Sequence, residues 1–288
     1  MDMTPAWAAR MKRWAGPDGP NLDQLTTIGA GLYVLFVSWK NRLLRRQPRR
    51  VNFLIIGAQK AGTTALASQL KSGPQVLFAS RKEVFYFSDW RRFGKEMNTA
   101  VNEAWYHQHF DWSNPAPLVG EATPMYLSQP FAPDRIKRYN PQMKLVAILR
   151  HPLHRAVSAW NMFRAKGQTR LPFPVWLAET PGALESSRYA EWIRAWNDAF
   201  PPDDQHPGVL WLKYEDLRDD PGTTLQRVHA YLGLPAPATA EIPKRNVHPY
   251  PKKQAEDFDR LEVLALFLED IDEVESLLGW DCADWRQV

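Results

Sequence analysis

Two short stretches carry side chains spaced for holding anions. In Val51-Asn-Phe-Leu-Ile-Ile-Gly-Ala-Gln-Lys-Ala-Gly-Thr-Thr64 an apolar run enters a turn with glycines at 57 and 62 and hydroxyls at Thr63 and Thr64. The spacing is that of a phosphate-binding loop, G-x-x-x-x-G-K-[ST], but Thr63 stands where the lysine belongs and Lys60 lies inside the turn. Such a loop can wrap an anion with backbone N–H groups at a helix N-terminus. The displaced lysine argues against the triphosphate of a magnesium nucleotide. In the second stretch, Lys144-Leu-Val-Ala-Ile-Leu-Arg-His-Pro-Leu-His-Arg-Ala-Val-Ser158, a strand-like run ends in Arg150. A magnesium-dependent phosphoryl transferase would place a carboxylate for the metal there. Ser158 lies two helical turns further on, with Arg155 one turn before it on a neighbouring face. An arginine at a strand's carboxyl end and a helix hydroxyl suit a phosphate monoester. Two anion sites without a metal carboxylate fit a nucleotide phosphorylated at both ends.

The elements that must position these residues can be read from the same sequence. From Val51 onward strand and helix signals alternate, the pattern of an α/β domain with a parallel sheet. Short apolar runs predict strands at Asn52 to Ile56, Val76 to Ala79, Leu145 to Leu149 and Val209 to Leu212, each suited to burial on both faces. Helices are predicted over Gly62 to Lys71, Pro152 to Ala165, Ser186 to Phe200, Pro221 to Leu232 and Ala255 to Leu278. Pro152 is well placed just inside a helix start, where its missing N–H costs nothing. Prolines and glycines between Gln168 and Gly182 predict a loop region near the substrate mouth.

With the motifs placed, a resemblance becomes specific. GAQKAGTT, RHPLHRAVS and the later KRNVHPYPK resemble the cofactor motifs of sulfotransferases that use 3′-phosphoadenosine 5′-phosphosulfate (PAPS), nearest to the heparan-sulfate and related bacterial branch. Lys82-Glu-Val-Phe-Tyr-Phe-Ser-Asp-Trp90 resembles the segment carrying that branch's catalytic glutamate, and Gly120-Glu-Ala-Thr-Pro-Met-Tyr126 its acidic Thr-Pro-x-Tyr segment. The resemblance runs from about Val51 to Trp285. It implies a P-loop-like three-layer α/β fold, a central parallel sheet flanked by helices, over a catalytic domain of residues 51–288.

The resemblance also implies roles. Lys60, within the loop of Gln59, Ala61, Gly62, Thr63 and Thr64, is expected to hold the 5′-phosphosulfate and neutralise the departing bridging oxygen. Arg150 and Ser158 are expected to bind the 3′-phosphate. Lys244, Arg245 and Asn246 are expected to close over the nucleotide, although relatives often carry Gly-Arg where this chain has Arg-Asn. Glu83 is the first candidate for the base that deprotonates the acceptor; Glu121 is the second, or a residue that orients the acceptor. His151 and His154 read as helix-start and packing residues. Tyr214-Glu-Asp-Leu217 reads as a tie between a helix and the sheet. The implied acceptor is a carbohydrate, glycolipid or small metabolite, taken by the loops around Trp90 to Phe110 and Gln168 to Ser187.

Composition bounds the alternatives. A chain of 288 residues with 44% hydrophobic content can bury one sizeable core. The net charge of +4 suits an anionic ligand, a nucleic acid or an anionic membrane face, and by itself selects none. Cys282 is the lone cysteine, so no intrachain disulfide is possible, and no Cys/His cluster has zinc-ligand spacing; no metal is expected. Residues 1–50 form a separate N-terminal extension. Its apolar run, Leu25 to Trp39, falls short of the roughly 20 residues that span a bilayer. Arg42, Arg45, Arg46, Arg49 and Arg50 follow it. An apolar helix backed by basic residues suits an anionic membrane surface; a helix packed on the main domain is the alternative. A cleaved signal peptide is not expected, since the apolar run starts late and no small-residue cleavage site follows, and the basic residues favour a cytoplasmic C-terminal domain if the segment inserts; a cytoplasmic protein is expected. Two other functions compete: a P-loop phosphoryl transferase, opposed by Lys60 and Arg150, and a non-catalytic basic protein binding membrane or nucleic acid. The second leaves the two spaced anion motifs unexplained, so no nucleic-acid partner is expected.

Overall fold

The computed structural model describes residues 49–81, 83–89, 100–204, 206–237, 239 and 258–288. The chain divides into two units, residues 49–98 with 109–288, and residues 1–48 with 99–108. The first is built on five parallel strands in the order β2-β3-β1-β4-β5: β1 (Phe53–Gly57), β2 (Val76–Phe78), β3 (Leu118–Ala122), β4 (Lys144–Leu149) and β5 (Val209–Lys213). Helices α1 (Thr63–Lys71), α3 (Ala132–Tyr139), α4 (Pro152–Ala165), α5 (Phe173–Glu179), α6 (Ala190–Ala199), α7 (Tyr214–Asp219), α8 (Pro221–Leu232), α9 (Arg260–Ala265) and α10 (Leu268–Leu278) flank the sheet, giving the expected three-layer fold. The described part of the second unit contains helix α2 (Ala100–His107).

The central strands are apolar because helices cover both faces of a parallel sheet. Every residue of β1 is buried, and β4 is buried from Leu145 to Leu149. The order places β1 between β3 and β4, so the chain leaves β1 toward one edge and β4 toward the other. The crevice at the carboxyl ends of these two strands is the topological switch point, where open α/β sheets bind ligands. The loop after β1 and Arg150 after β4 both sit there.

The flanking helices follow local rules. In α3, Ala132, Arg135, Ile136 and Tyr139 are buried at positions i, i+3, i+4 and i+7, one stripe of a helix surface. Asp134 in its first turn and Lys137 and Arg138 in its last complement the helix dipole. Helix α8 starts with Asp220 accepting the Thr223 N–H and Pro221 at N1, and stops at Gly233 with φ 75°. Asp270 of α10 accepts the N–H groups of Tyr189 (2.7 Å) and Ala190 (2.9 Å), capping α6 from a distant part of the chain.

Four sequence expectations change here, the first being that the helix expected from Ser186 starts at Ala190, after a separate turn at Glu185–Ser187. β3 was read as a motif and not as a strand; its Gly120 faces Phe53 of β1 so closely that a Cβ would collide with the Phe53 ring and carbonyl. Within the expected loop from Gln168 to Gly182, Phe173–Glu179 is helical, because Phe173 and Trp176 are buried against Trp160 and Phe163 of α4. The long C-terminal helix is two helices: α9 ends at Ala265 and α10 starts at Leu268, with residues 255–257 outside those described.

Candidate active site

The turn between β1 and α1 is held open by backbone that few residues adopt. Lys60 has φ 74° and Gly62 φ 91°, the left-handed region, which is costly for any side chain but glycine. At Gly62 there is also no room: a Cβ would sit 3.1 Å from the Tyr214 ring. Gly62 is the N-cap of α1, and no side chain caps that helix. The Thr63 and Thr64 N–H groups at its start therefore lack an intrahelical acceptor and a side-chain cap, while those of Ala65 and Leu66 donate to the Gly62 carbonyl. Thr63 is buried, Gln59, Lys60 and Thr64 are half-buried, and Ala61 packs in the core.

The two anion motifs meet directly. Arg150 donates a guanidinium N–H to the Lys60 carbonyl at 3.0 Å. This contact follows from the sheet register, in which Gly57 lies opposite Ala147 and the Ala58 N–H donates to the Ile148 carbonyl at 2.6 Å. The Arg150 guanidinium lies 4.7 Å from the centre of the Tyr214 ring, a cation–π contact, and its Nε is buried without an acceptor. One tyrosine ring thus lies under the arginine and against the glycine of the loop. The Tyr189 hydroxyl donates to the Arg150 carbonyl at 2.8 Å. Glu215 accepts the His151 N–H at 3.2 Å and the Trp285 indole N–H at 3.1 Å, pinning the β4–α4 corner to the C-terminal segment. Tyr214, Glu215 and Tyr189 were not among the expected site residues. The expected tie between Tyr214–Leu217 and the sheet is present, and it ends at the site.

Arg155 takes no part in this site. It is buried on another side of α4, where its guanidinium donates to Ser187 Oγ at 2.5 Å and to the Ala183 carbonyl at 3.2 Å. Ser158, half-exposed, lies two turns into α4, with no hydrogen bond to Arg150. The rings of His151 and His154 lie with centroids 4.0 Å apart and planes tilted by 30°. His151 donates its Nε2–H to the Gln287 carbonyl at 2.8 Å, so its place in the β4–α4 corner is structural, as expected. Burial first, then His151, Arg150, Arg260 and Arg218, hold the His154 imidazole down to about 4. Lys244, Arg245 and Asn246 lie outside the described residues.

A second cluster flanks the loop on the β3 side. Glu121, fully buried on β3 opposite Leu54, accepts the hydroxyls of Thr123 and Tyr126, each at 2.6 Å. The same two residues face the segment carrying Glu83: the Phe85 N–H reaches Thr123 Oγ1 at 3.4 Å and the Phe87 N–H reaches the Tyr126 hydroxyl at 3.5 Å. Phe87 also packs edge-on against Tyr126 and Tyr139, and buried Arg135 donates to its carbonyl at 3.3 Å. Glu83 and Phe85 adopt φ 60° and 63°, backbone that persists only where the surroundings over-determine it. Burial drives the Glu121 carboxyl up to about 7; the two hydroxyls and the Val84 N–H oppose that rise, and the Glu83 charge adds to it. The turn that carries this cluster is bound to the loop side: the Leu127 N–H donates to the Ile56 carbonyl at 2.8 Å, and a Cβ on Gly57 would collide with Leu127.

Of the basic residues before Val51, Arg49 and Arg50 are described. Arg49 donates to the carbonyls of Asn114 (2.8 Å) and Ala116 (2.6 Å), and Arg50 to that of Tyr139. These two arginines bind the domain; residues 1–48 lie outside those described. No helix among the described residues is long and apolar enough to cross a membrane.

Similar proteins share this architecture. Over 206 residues the chain is 29% identical to heparan sulfate glucosamine 3-O-sulfotransferase 5 of Homo sapiens, an alignment covering 67% of this chain and 55% of that protein. Over 113 residues it is 34% identical to the membrane-associated sulfotransferase kil1 of Dictyostelium discoideum, covering 38% of this chain and 22% of that one. The matched part thus spans about half or less of the length of these relatives. A sulfotransferase crystal structure from Alicyclobacillus acidocaldarius superposes with a TM-score of 0.66 at 26% identity, over 83% of this chain and 100% of the other. Residues 52–238, which include the β1 loop, the Glu83 and Glu121 segments, Arg150 and Tyr214, match the family described as the Sulfotransferase family. The chain belongs to the sulfotransferase family.

Proposed function

We propose that this protein transfers a sulfuryl group from PAPS to a hydroxyl or amine of an acceptor. The observation that carries the reading is the hydrogen bond from Arg150 to the Lys60 carbonyl, which joins both anion motifs at the switch point of the sheet. The residues fit the donor: an uncapped helix start for the 5′-phosphosulfate, and a buried arginine Nε without an acceptor for the 3′-phosphate. The donor supplies a sulfuryl group already bonded to a phosphate leaving group. Lys60 neutralises charge on the leaving oxygen, and the N–H groups and hydroxyls of Gly62, Thr63 and Thr64 orient the phosphosulfate. Arg150, with Ser158, anchors the other end of the nucleotide, and Lys244, Arg245 and Asn246 close over it. Glu83 takes the acceptor's proton as the acceptor attacks. Positioning and charge neutralisation carry most of such an in-line displacement.

In this reading Glu121 is a positioning residue: its carboxyl holds Thr123 and Tyr126, which hold the Glu83 segment. The acceptor class is a carbohydrate, including that of a glycolipid, supported by the likeness to a glucosamine sulfotransferase; a small metabolite is the narrower alternative. Residues 51–288 form the catalytic domain. Within residues 25–50, the apolar run and Arg42, Arg45 and Arg46 lie at a cytoplasmic membrane surface, supported by their charge and by the likeness to a membrane-associated sulfotransferase, while Arg49 and Arg50 hold the domain.

The test is a thermal-midpoint titration with adenosine 3′,5′-bisphosphate and, separately, with ATP and magnesium. A ligand that binds the folded state alone raises the midpoint. Stabilisation by the bisphosphate without magnesium, strongly weakened in Lys60→Ala and Arg150→Ala, is expected. Stabilisation by ATP-magnesium alone would replace this reading with a phosphoryl transferase. Transfer of labelled sulfate from PAPS to a panel of glycans and glycolipids then identifies the acceptor class.

A further inference from the structure

The β4–α4 corner presents more to the anion site than Arg150 and Ser158. His154 lies in the first turn of α4, four residues before Ser158 on the same helix face and four residues after Arg150, which precedes the helix. Its ring packs at a tilt against that of His151, whose backbone N–H and Nε2–H are tied to Glu215 and Gln287. Helix α9 packs on α4 and brings Arg260 close enough to act on His154. Arg260, like Arg150, has a buried Nε with no acceptor. Buried donors are almost always paired, so two unsatisfied arginine nitrogens around one histidine call for a missing acceptor. The groups acting most strongly on His154 are His151 and Arg150 beside it, Arg260 from α9 and Arg218 from α7. Arg218 is exposed and paired with Asp219, which leaves Arg150 and Arg260 as the cations of the cluster. Two guanidiniums around a half-buried imidazole repel one another, and an anion would relieve that repulsion.

We infer that His154 and Arg260 join Arg150 and Ser158 in one site for a phosphate monoester. This rests on the proposed nucleotide, whose 3′-phosphate the site holds, and extends the binding machinery into the C-terminal helices. His154, uncharged at neutral pH, contributes a ring N–H without adding to the repulsion. Arg260 supplies the second guanidinium, so that a dianion meets two cations. A phosphate monoester carrying two charges is favoured over a singly charged phosphodiester or sulfate ester, for which one arginine would suffice.

The experiment is calorimetric titration of the full chain with adenosine 3′,5′-bisphosphate and with adenosine 5′-phosphate, which lacks the 3′-phosphate. The unsubstituted protein, Arg260→Met, His154→Ala and Arg150→Ala are compared. Each of the first two variants should lose about ten-fold or more in affinity for the bisphosphate, the cost of one charge-assisted hydrogen bond, with adenosine 5′-phosphate affinity nearly unchanged. Bisphosphate affinity retained in Arg260→Met and His154→Ala but lost in Arg150→Ala overturns this inference and leaves the nucleotide reading intact. No bisphosphate binding by the unsubstituted protein, or no loss in Arg150→Ala, overturns both. If His154→Ala weakens both nucleotides alike, its packing has failed; Arg260→Met and the polar replacement His154→Gln then decide on the same criterion.

Discussion

Replacing Glu121 with glutamine should flatten the pH dependence of folding stability. In the folded protein the Glu121 carboxyl titrates at about 7, against 4.5 for an exposed glutamate, chiefly because it is buried. Between those values the folded state keeps a proton that the unfolded chain has released. The resulting stabilisation is fully present below pH 4.5 and is lost as pH rises through about 7. At ~1.36 kcal/mol per pH unit, the interval amounts to about 3 kcal/mol, of which about 2.5 kcal/mol is lost between pH 5 and 8. Glutamine has nearly the same shape and ionises in neither state, so it removes that dependence. Its amide oxygen can still accept one of the two hydroxyls, and its NH2 can donate to the other once that hydroxyl turns, much as the protonated acid does. Urea denaturation at several pH values, followed by the fluorescence of the thirteen tryptophans, measures the effect. The unsubstituted protein should lose more stability from pH 5 to 8 than Glu121→Gln, by roughly 2 to 3 kcal/mol. Parallel loss in the two proteins would refute the reasoning, because the carboxyl would then titrate alike in the folded and unfolded states.

Three further outcomes are expected. Glu83→Gln should keep bisphosphate binding and abolish sulfate transfer; an active Glu83→Gln beside an inactive but folded Glu121→Gln would reverse the two assignments. Gly62→Ala should cost on the order of 1–3 kcal/mol, from the left-handed backbone and the Tyr214 ring 3.1 Å from the new Cβ, and should weaken nucleotide binding. Tyr214→Leu should loosen Arg150 and reduce bisphosphate affinity by about ten-fold, the scale of one partly buried cation–π contact, as measured by calorimetry; unchanged affinity would show that Arg150 needs no support from below.

What a sequence makes legible depends on how local its physics is. Helix α4 spans Pro152–Ala165 and α8 spans Pro221–Leu232, as expected, since a proline at N1 and, for α8, a left-handed glycine at its end are local signals. Phe173–Glu179 looked like loop because its prolines and flanking glycine are visible in the sequence, whereas the aromatic surface of α4 that makes it helical is not. A continuous helix through Leu266 and Phe267 was a reading of periodicity; the observed break leaves Phe267 fully buried.

The same division holds for the site. The sequence alone determined the β1 loop with its displaced Lys60, the arginine after β4, and through them membership of a family of anion-handling enzymes, because each motif is a contiguous run whose spacing carries its chemistry. The tertiary structure decided which of those residues work together. It turned Arg155 onto Ser187, placed Tyr214 beneath Arg150, and linked Glu121 through Thr123 to the segment bearing Glu83. Those relations join residues 32 to 64 positions apart, or elements on separate strands, and depend on strand order and register. No local pattern encodes them: a parallel sheet brings distant carboxyl ends together only once every strand has found its neighbours.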